Sequence, residues 1–117
     1  MIDVNFGYKH PLKTMWLKGK LTTVQNGIYG DRLTPKNVSL EHLHCFCHSH
    51  NSNLSNLALA TKENNWKRGN KDIREFLTPE MAQKYLNQFE NIEINGFNGN
   101  KYIEMIKKTL KRLGLVL

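Results

Sequence analysis

The sequence predicts a single α+β domain, with short strands in its centre and helices in its C-terminal part. Residues 38–43, VSLEHL, alternate apolar and polar side chains, as a half-buried strand does. A second short strand, NLALAT at 56–61, leads into a segment with helix start and stop signals. Beyond residue 76, apolar residues recur at helical spacing. A chain of 117 residues with 39% hydrophobic content is long enough for one domain with one core.

The N-terminal third is predicted to contain a short helix followed by turns. In PLKTMWLKG, residues 11–19, the apolar side chains fall on one helical face and Gly19 offers a stop. Residues 26–37, NGIYGDRLTPKN, are rich in Gly, Asn, Asp and Pro, which favours turns. The apolar face of the helix consists of Leu12, Met15, Trp16 and Leu17.

The centre of the chain is predicted to run strand, long loop, strand, helix. Adjacent strand residues point to opposite faces, so Glu41 and His42 can serve one site only if the first strand ends or bends at His42. HCFCHSHNSNLS, residues 44–55, is polar and has no period, which indicates a loop. Thr61 can cap the following helix and Gly69 can end it.

Two more helices are predicted after residue 76. Thr78 and Pro79 suit the N-cap and first position of the first helix, and residues 91–100, NIEINGFNGN, form a turn-rich connection. Basic residues concentrate in the last turns of the second helix, where they suit the helix dipole as well as DNA contact, and both explanations stay open. The buried stripes are Met81, Tyr85, Leu86 and Phe89 in the first helix, and Ile103, Ile106, Leu110 and Leu113 in the second.

The net charge of +7 is divided unevenly along the chain. Residues 1–37 carry six basic and two acidic residues, residues 38–100 carry six and seven, and residues 101–117 carry five and one. Basic ends around a nearly neutral centre fit a protein that grips a polyanion, although basic charge also serves solubility alone. No apolar run is long enough for a membrane span, and the N-terminus lacks the apolar stretch of a signal peptide. We therefore expect a soluble, cytoplasmic protein with no membrane partner.

Three separated elements resemble the HNH nuclease family, whose pattern is acid-His, a loop, Asn-Leu, and a helix with Asn or His before a basic residue and Gly. Here Glu41-His42 is followed by Asn56-Leu57 and by NNWKRGN at 64–70, so that Asn56 lies 14 positions and Asn65 lies 23 positions after His42. The resemblance covers about residues 38–74. It implies a ββα-metal core, a two-stranded hairpin plus a helix, at about 34–75, with an N-terminal extension at 1–33 and C-terminal helices at 76–117.

The resemblance implies a divalent-metal-dependent endonuclease that hydrolyses DNA phosphodiester bonds. His42 would be the general base, a role that suits an imidazole with a pKa near 6.5. Glu41 and Asn65 would be ligands of Mg²⁺, or of another divalent cation such as Mn²⁺, and Asn56 would hold the loop that orients His42. Asn64 competes with Asn65 for the ligand position, and the family spacing favours Asn65.

Basic residues on and after the helix at 61–70 are predicted to contact the DNA backbone, because cations at that helix can hold phosphates without reading sequence. Trp66 could stack on a sugar or base, or could belong to the core. We expect the partner to be double-stranded DNA, and the sequence gives no indication of oligomeric state. The predicted contacts are Lys62, Lys67, Arg68 and Lys71.

The loop at 44–55 offers a different kind of site, because it contains both cysteines of the chain. Cys45, Cys47, His48 and His50 have the right chemistry for zinc, but C-x-C and H-x-H spacings are tight compared with the usual zinc motifs. We therefore expect no structural zinc, and expect an exposed loop whose cysteines are thiols. Two alternatives to the nuclease remain: an inactive HNH-fold protein that binds nucleic acid, and a zinc-stabilised interaction module built on residues 45–50.

Overall fold

The computed structural model describes residues 11–117, so positions 1–10 of the predicted N-terminal extension lie outside it. The described part contains five α-helices and two antiparallel pairs of strands around a hydrophobic core. The predicted α+β class is confirmed. Among the described helices, none combines the length and the apolar character that crossing a bilayer requires.

Helix α1, Pro11–Leu17, lies where the apolar periodicity places it. Leu12 and Met15 are buried, whereas Leu17, which was predicted for the same face, is exposed. Leu17 is the last residue of the helix. Gly19 follows with a φ of +73°, a conformation that glycine adopts without steric cost.

Strands β1, Val38–His42, and β2, Leu57–Thr61, form the central antiparallel hairpin. The register pairs His42 with Leu57 and Leu40 with Leu59. All five residues of β2 are buried. The strand β1 ends at His42, as a site shared by Glu41 and His42 would require.

The connection between the two strands is more ordered than its sequence predicts. It contains a short helix α2, Phe46–Ser49, and a 3₁₀ turn, Leu54–Asn56. Helix α2 ends at Ser49, and its C-cap residue, His50, adopts a left-handed conformation with a φ of 49°. The hydroxyl of Thr109 donates to the Ser55 carbonyl at 2.7 Å, which ties the end of the connection to the last helix of the chain. Local caps and this tertiary contact order the connection, although its sequence shows no hydrophobic periodicity.

Helix α3, Lys62–Arg68, begins at the predicted cap, where Thr61 accepts a hydrogen bond from the Asn64 N–H. Its side chains cover the edge of β1 that faces away from β2. There the Asn65 amide donates to the Leu40 carbonyl at 2.9 Å, and Arg68 donates to the His42 carbonyl at 2.6 Å. An unpaired strand edge exposes backbone groups that must find partners, and α3 supplies them.

The C-terminal part consists of helix α4, Pro79–Asn87, two short strands, and helix α5, Gly99–Arg112. The strands β3, Glu93–Ile94, and β4, Phe97–Asn98, pair within the segment predicted as turns.

Two buried tyrosines fasten this part of the chain to the outer edge of β2. The Leu59 N–H donates to the Tyr85 hydroxyl at 2.9 Å, and the Tyr102 hydroxyl donates to the Leu57 carbonyl at 2.7 Å. The two hydroxyls are themselves 2.9 Å apart. Burial raises the pKa of both tyrosines, so they remain neutral donors and acceptors in the core.

Candidate functional site

His42 ends β1 at the point where the hairpin opens into the loop, and it is half-buried. Its Nε2 lies 3.0 Å from the Ser52 hydroxyl oxygen, and its ring is 5.4 Å from the ring of Phe46. Within residues 11–117, no protein group hydrogen-bonds to its Nδ1. Burial, and next the positive charge of Arg68, lower the pKa of His42 below its ordinary value of 6.5. The side chain is therefore a neutral imidazole near pH 7 with one nitrogen open to a proton.

Asn56 fixes the loop that begins after His42. It is 2% exposed, its Oδ1 accepts the His44 N–H at 2.9 Å, and its Nδ2 donates to the carbonyls of His44 at 3.0 Å and Asn51 at 2.8 Å. The resemblance to the HNH family implies a loop-holding role for this position, and these hydrogen bonds are of that kind. Three bonds from one buried amide hold both ends of the loop together next to the general base candidate.

Glu41 differs from its predicted role as an open metal ligand. Its side chain is buried, its Oε2 accepts the Tyr29 hydroxyl at 2.5 Å, and the same oxygen lies 3.3 Å from Arg68 Nη1. Burial raises the pKa of this carboxyl, and the Tyr29 hydrogen bond and the charge of Arg68 counteract that effect only in part. Glu41 is thus an interior partner of a guanidinium rather than an exposed oxygen ligand.

Arg68 likewise differs from its predicted role as a DNA contact. It is 2% exposed, and besides Glu41 its guanidinium donates to the carbonyls of His42 at 2.6 Å, Leu43 at 2.9 Å and Lys71 at 2.8 Å. A side chain with this many buried partners cannot turn outward to a phosphate without leaving backbone carbonyls unsatisfied. The prediction that Arg68 contacts DNA is therefore wrong. Only the tertiary contacts decide whether a basic residue beside a glycine faces inward or outward, and the sequence looks the same in both cases.

Asn65 lies beside β1, where its Nδ2 donates to the Ser39 hydroxyl at 3.0 Å and to the Leu40 carbonyl at 2.9 Å. Among the described residues, no group donates to its Oδ1. Its neighbour Asn64 is used differently, since its side chain donates to Asp31. Of the two candidates for the ligand position, Asn65 is therefore the one that lies against the strand carrying His42.

The predicted pair of oxygen ligands does not fit a hydrated Mg²⁺ as it is placed. Mg²⁺ keeps several water molecules and needs room for an octahedral shell. Glu41 has no such room, and a cation at its Oε2 would lie beside the positive charge of Arg68, which is already 3.3 Å away. Only Asn65 retains an open oxygen, so the two side chains together do not form a divalent cation site in this arrangement.

The remaining predicted DNA contacts, Lys62, Lys67 and Lys71, are exposed. Lys71 also lines a cleft of about 240 Å³ whose other walls include His44 and His48. Trp66 is 83% exposed, so the alternative that places it in the core is wrong.

The loop also brings three of the four candidate zinc ligands together. The sulfur atoms of Cys45 and Cys47 lie at bonding distance and form a disulfide, so the expectation that they are thiols is wrong for this structure. Two cysteines this close in sequence can pair here because the turn of α2 brings their sulfur atoms together. A ring nitrogen of His48 is within 4.8 Å of them. His50 lies outside this group, with its ring packed edge-on against Phe46 at 5.4 Å.

Sequence reasoning missed three residues of the site. Tyr29 comes from a segment that was assigned only to turns, and Ser52 and Phe46 come from the loop between the strands. None of them belongs to the motif that identifies the other site residues. No sequence signal marks them, because their contacts arise only when the turns and the loop fold against β1.

Comparisons of the chain with family models, with curated proteins and with solved structures found no match. The resemblance to the HNH nuclease family therefore rests on the pattern of Glu41-His42, Asn56-Leu57 and residues 64–70 in the sequence itself.

Proposed function

We propose that this protein is an HNH-type endonuclease that hydrolyses phosphodiester bonds of DNA, with His42 as the general base. The observation that carries the proposal is the state of His42: a half-buried imidazole with a lowered pKa, one bonded nitrogen and one open nitrogen. A group of this kind accepts a proton at neutral pH without first having to lose one.

The proposed proton transfer uses Nδ1 of His42 as the acceptor for the proton of the attacking water. This requires the tautomer in which Nε2 carries the hydrogen and donates to the Ser52 hydroxyl oxygen. The Ser52 contact at 3.0 Å orients the ring, and in this tautomer the Ser52 oxygen is the acceptor. Asn56 acts one step further away, because it holds the backbone at His44 and Asn51 and thereby positions the loop.

Binding of the substrate is assigned to exposed cations and aromatic rings around the hairpin. Lys62, Lys67 and Lys71 are exposed and can neutralise phosphates, which gives affinity without sequence preference. Lys71 would have to exchange its 3.3 Å hydrogen bond to the Lys67 carbonyl for the phosphate contact. Trp66 and Phe46 are exposed aromatic side chains, and rings in such positions can stack on bases or sugars. Arg68 is excluded from this set because its guanidinium is buried.

The test is nicking of supercoiled plasmid by the wild-type chain and by His42→Ala, each with Mg²⁺, with Mn²⁺ and with a chelator. His42→Ala should retain DNA binding but lose about 10² to 10⁴-fold in rate, the usual contribution of a general base. His50→Asn is the matched control, since it changes another loop histidine and asparagine tolerates the left-handed conformation found there. Equal rates for His42→Ala and the parent, with both chains folded, would refute the proposal.

A second candidate function is nucleic-acid binding without cleavage. It is favoured by the closed pair of Glu41 and Arg68, which leaves the predicted cation ligands incomplete. In this case the chain would bind plasmid DNA in a salt-dependent manner and would nick it with neither Mg²⁺ nor Mn²⁺. The same plasmid assay, run beside a binding measurement, distinguishes the two functions.

A further inference from the structure

We propose that Cys45, Cys47 and His48 form, in the reduced chain, a binding site for a thiophilic divalent cation such as Zn²⁺. The site is separate from Glu41 and Asn65, and it does not depend on nuclease activity. One ligand atom from each of the three residues lies within 4.8 Å of the others. In a tetrahedral zinc site two thiolate sulfurs are about 3.8 Å apart. Coordination therefore requires the two sulfur atoms, which lie at bonding distance, to separate on reduction and the His48 ring to adjust by side-chain rotation.

The backbone already presents these three side chains on one short turn. Cys45 is the N-cap of α2, and the N–H groups of His48 and Ser49 donate to its carbonyl at 3.0 and 2.9 Å. The Cys47 N–H donates to the Cys45 sulfur at 3.3 Å. The C-x-C spacing, which is unusual for zinc motifs in extended loops, is compensated here by the helical turn.

The fourth position is open to solvent or to another imidazole. The ring of His44 stacks at 6.3 Å from the ring of His48, and both residues line the same cleft as Cys45. Three protein ligands plus water make up a common zinc arrangement. Two thiolates and one imidazole select soft or borderline cations, whereas Mg²⁺ prefers oxygen ligands.

The site lies on the outside of the fold, so its metal is not needed to build the core. Cys47 and His48 are exposed and Cys45 is only partly buried. The loop is held independently by Asn56, whose three hydrogen bonds involve none of these side chains. We therefore expect the chain to fold without the cation.

The two sulfur atoms also lie at bonding distance, so the same pair can form a disulfide that excludes the metal. A dithiol reductant opens the bond by transferring two electrons and two protons to the pair, and closes to a cyclic disulfide itself. Binding of Zn²⁺ to the resulting thiols then releases two protons. Metal binding at this site should consequently appear only after reduction.

The experiment is a titration of the full-length, reduced chain with Co²⁺ under anaerobic conditions, followed by absorption and then by displacement with Zn²⁺. We expect one Co²⁺ per chain, a thiolate-to-cobalt charge-transfer band, and loss of that band on addition of Zn²⁺. Cys45→Ser and Cys47→Ser should each weaken or abolish the band. His48→Ala should lower the affinity by at least about tenfold, since even residues that only support a ligand commonly cost that much.

His50→Asn is again the matched control, and it should bind Co²⁺ like the wild type. Circular dichroism of each reduced variant, recorded without metal, checks that the fold is retained. Absence of a charge-transfer band in the reduced wild type would overturn the proposal, and so would an unchanged band in Cys45→Ser and Cys47→Ser. No nucleic acid is present in this titration, so its outcome is independent of the nuclease test.

Discussion

Two regions meet at His42 and are held in opposite ways. On the inner side, Glu41, Asn56 and Arg68 are each 2% exposed and bonded to backbone or to one another. On the outer side, residues 45–50 carry two cysteines, two imidazoles and an aromatic ring that are largely exposed. The polar side chains of the inner region are hydrogen-bonded within the fold, whereas the polar side chains of the outer region are available to ligands.

The position of a polar residue within the motif therefore does not reveal whether its side chain stabilises the fold or is open to ligands. Glu41 and His42 are adjacent in sequence, yet the carboxylate is enclosed by Tyr29 and Arg68 while the imidazole keeps an open nitrogen. Substitutions on the inner side should therefore act on stability, and substitutions on the outer side should act on binding and chemistry.

The largest effect on stability is expected for Arg68→Ala. The substitution leaves the Glu41 carboxylate buried without its cation and removes the donors to three backbone carbonyls. Loss of one partner of a buried ion pair typically costs about 3 to 5 kcal/mol of unfolding free energy. Denaturant unfolding of Arg68→Ala and of Lys67→Ala, an exposed neighbour on the same helix, measures the difference. Lys67→Ala should remain within about 0.5 kcal/mol of the parent. Equal small losses in both variants would contradict the interior role of Arg68.

A smaller loss is expected for Asn56→Ala. This change removes three hydrogen bonds and leaves the buried loop backbone partly unsatisfied, which costs about 1 to 3 kcal/mol. Asn53 is the matched control, because it lies in the same segment, is exposed and makes no side-chain cap. Unfolding free energies and the amide hydrogen exchange of His44 should change in Asn56→Ala and stay unchanged in Asn53→Ala. Unaltered exchange at His44 in Asn56→Ala would show that the loop is held by other contacts.

Much of the fold could be predicted because short-range sequence patterns specify its helices and strands. The alternation at Val38–His42 and the cap at Thr61 are short-range signals, and the structure has a strand and a helix at those places. Each of these signals lies within a few residues of the element it predicts, where backbone geometry dominates.

The rest of the site depends on contacts between residues distant in sequence, which no local pattern encodes. Tyr29 lies 12 positions before Glu41, and Arg68 reaches the His42 carbonyl across 26 positions. Whether a lysine or an arginine in NNWKRGN faces solvent is decided by these partners: Arg68 finds them and Lys67 does not. Both residues are basic and adjacent in the sequence, so the prediction treated them alike, although only a guanidinium has enough donors for the partners that Arg68 contacts.

The smallest expected effect is the pH dependence of stability that arises from His42, the residue at which the two regions meet. Burial, with the inner region's Arg68 charge as a second cause, lowers the pKa of His42 below 6.5. As pH falls below 6.5, the unfolded chain binds a proton at this residue before the folded chain does, so protonation favours unfolding and stability declines through that window. Above 6.5 His42 is neutral in both states and contributes no such pH dependence.

The acid limb of any cleavage rate should follow the pKa of His42 in the folded chain, and it should therefore also lie below 6.5 and vanish in His42→Ala. NMR titration of the His42 ring in the folded chain measures that value directly. A pKa at or above 6.5 would mean that solvent reaches the ring as freely as it reaches the outer loop, and that the inner region does not tune this imidazole.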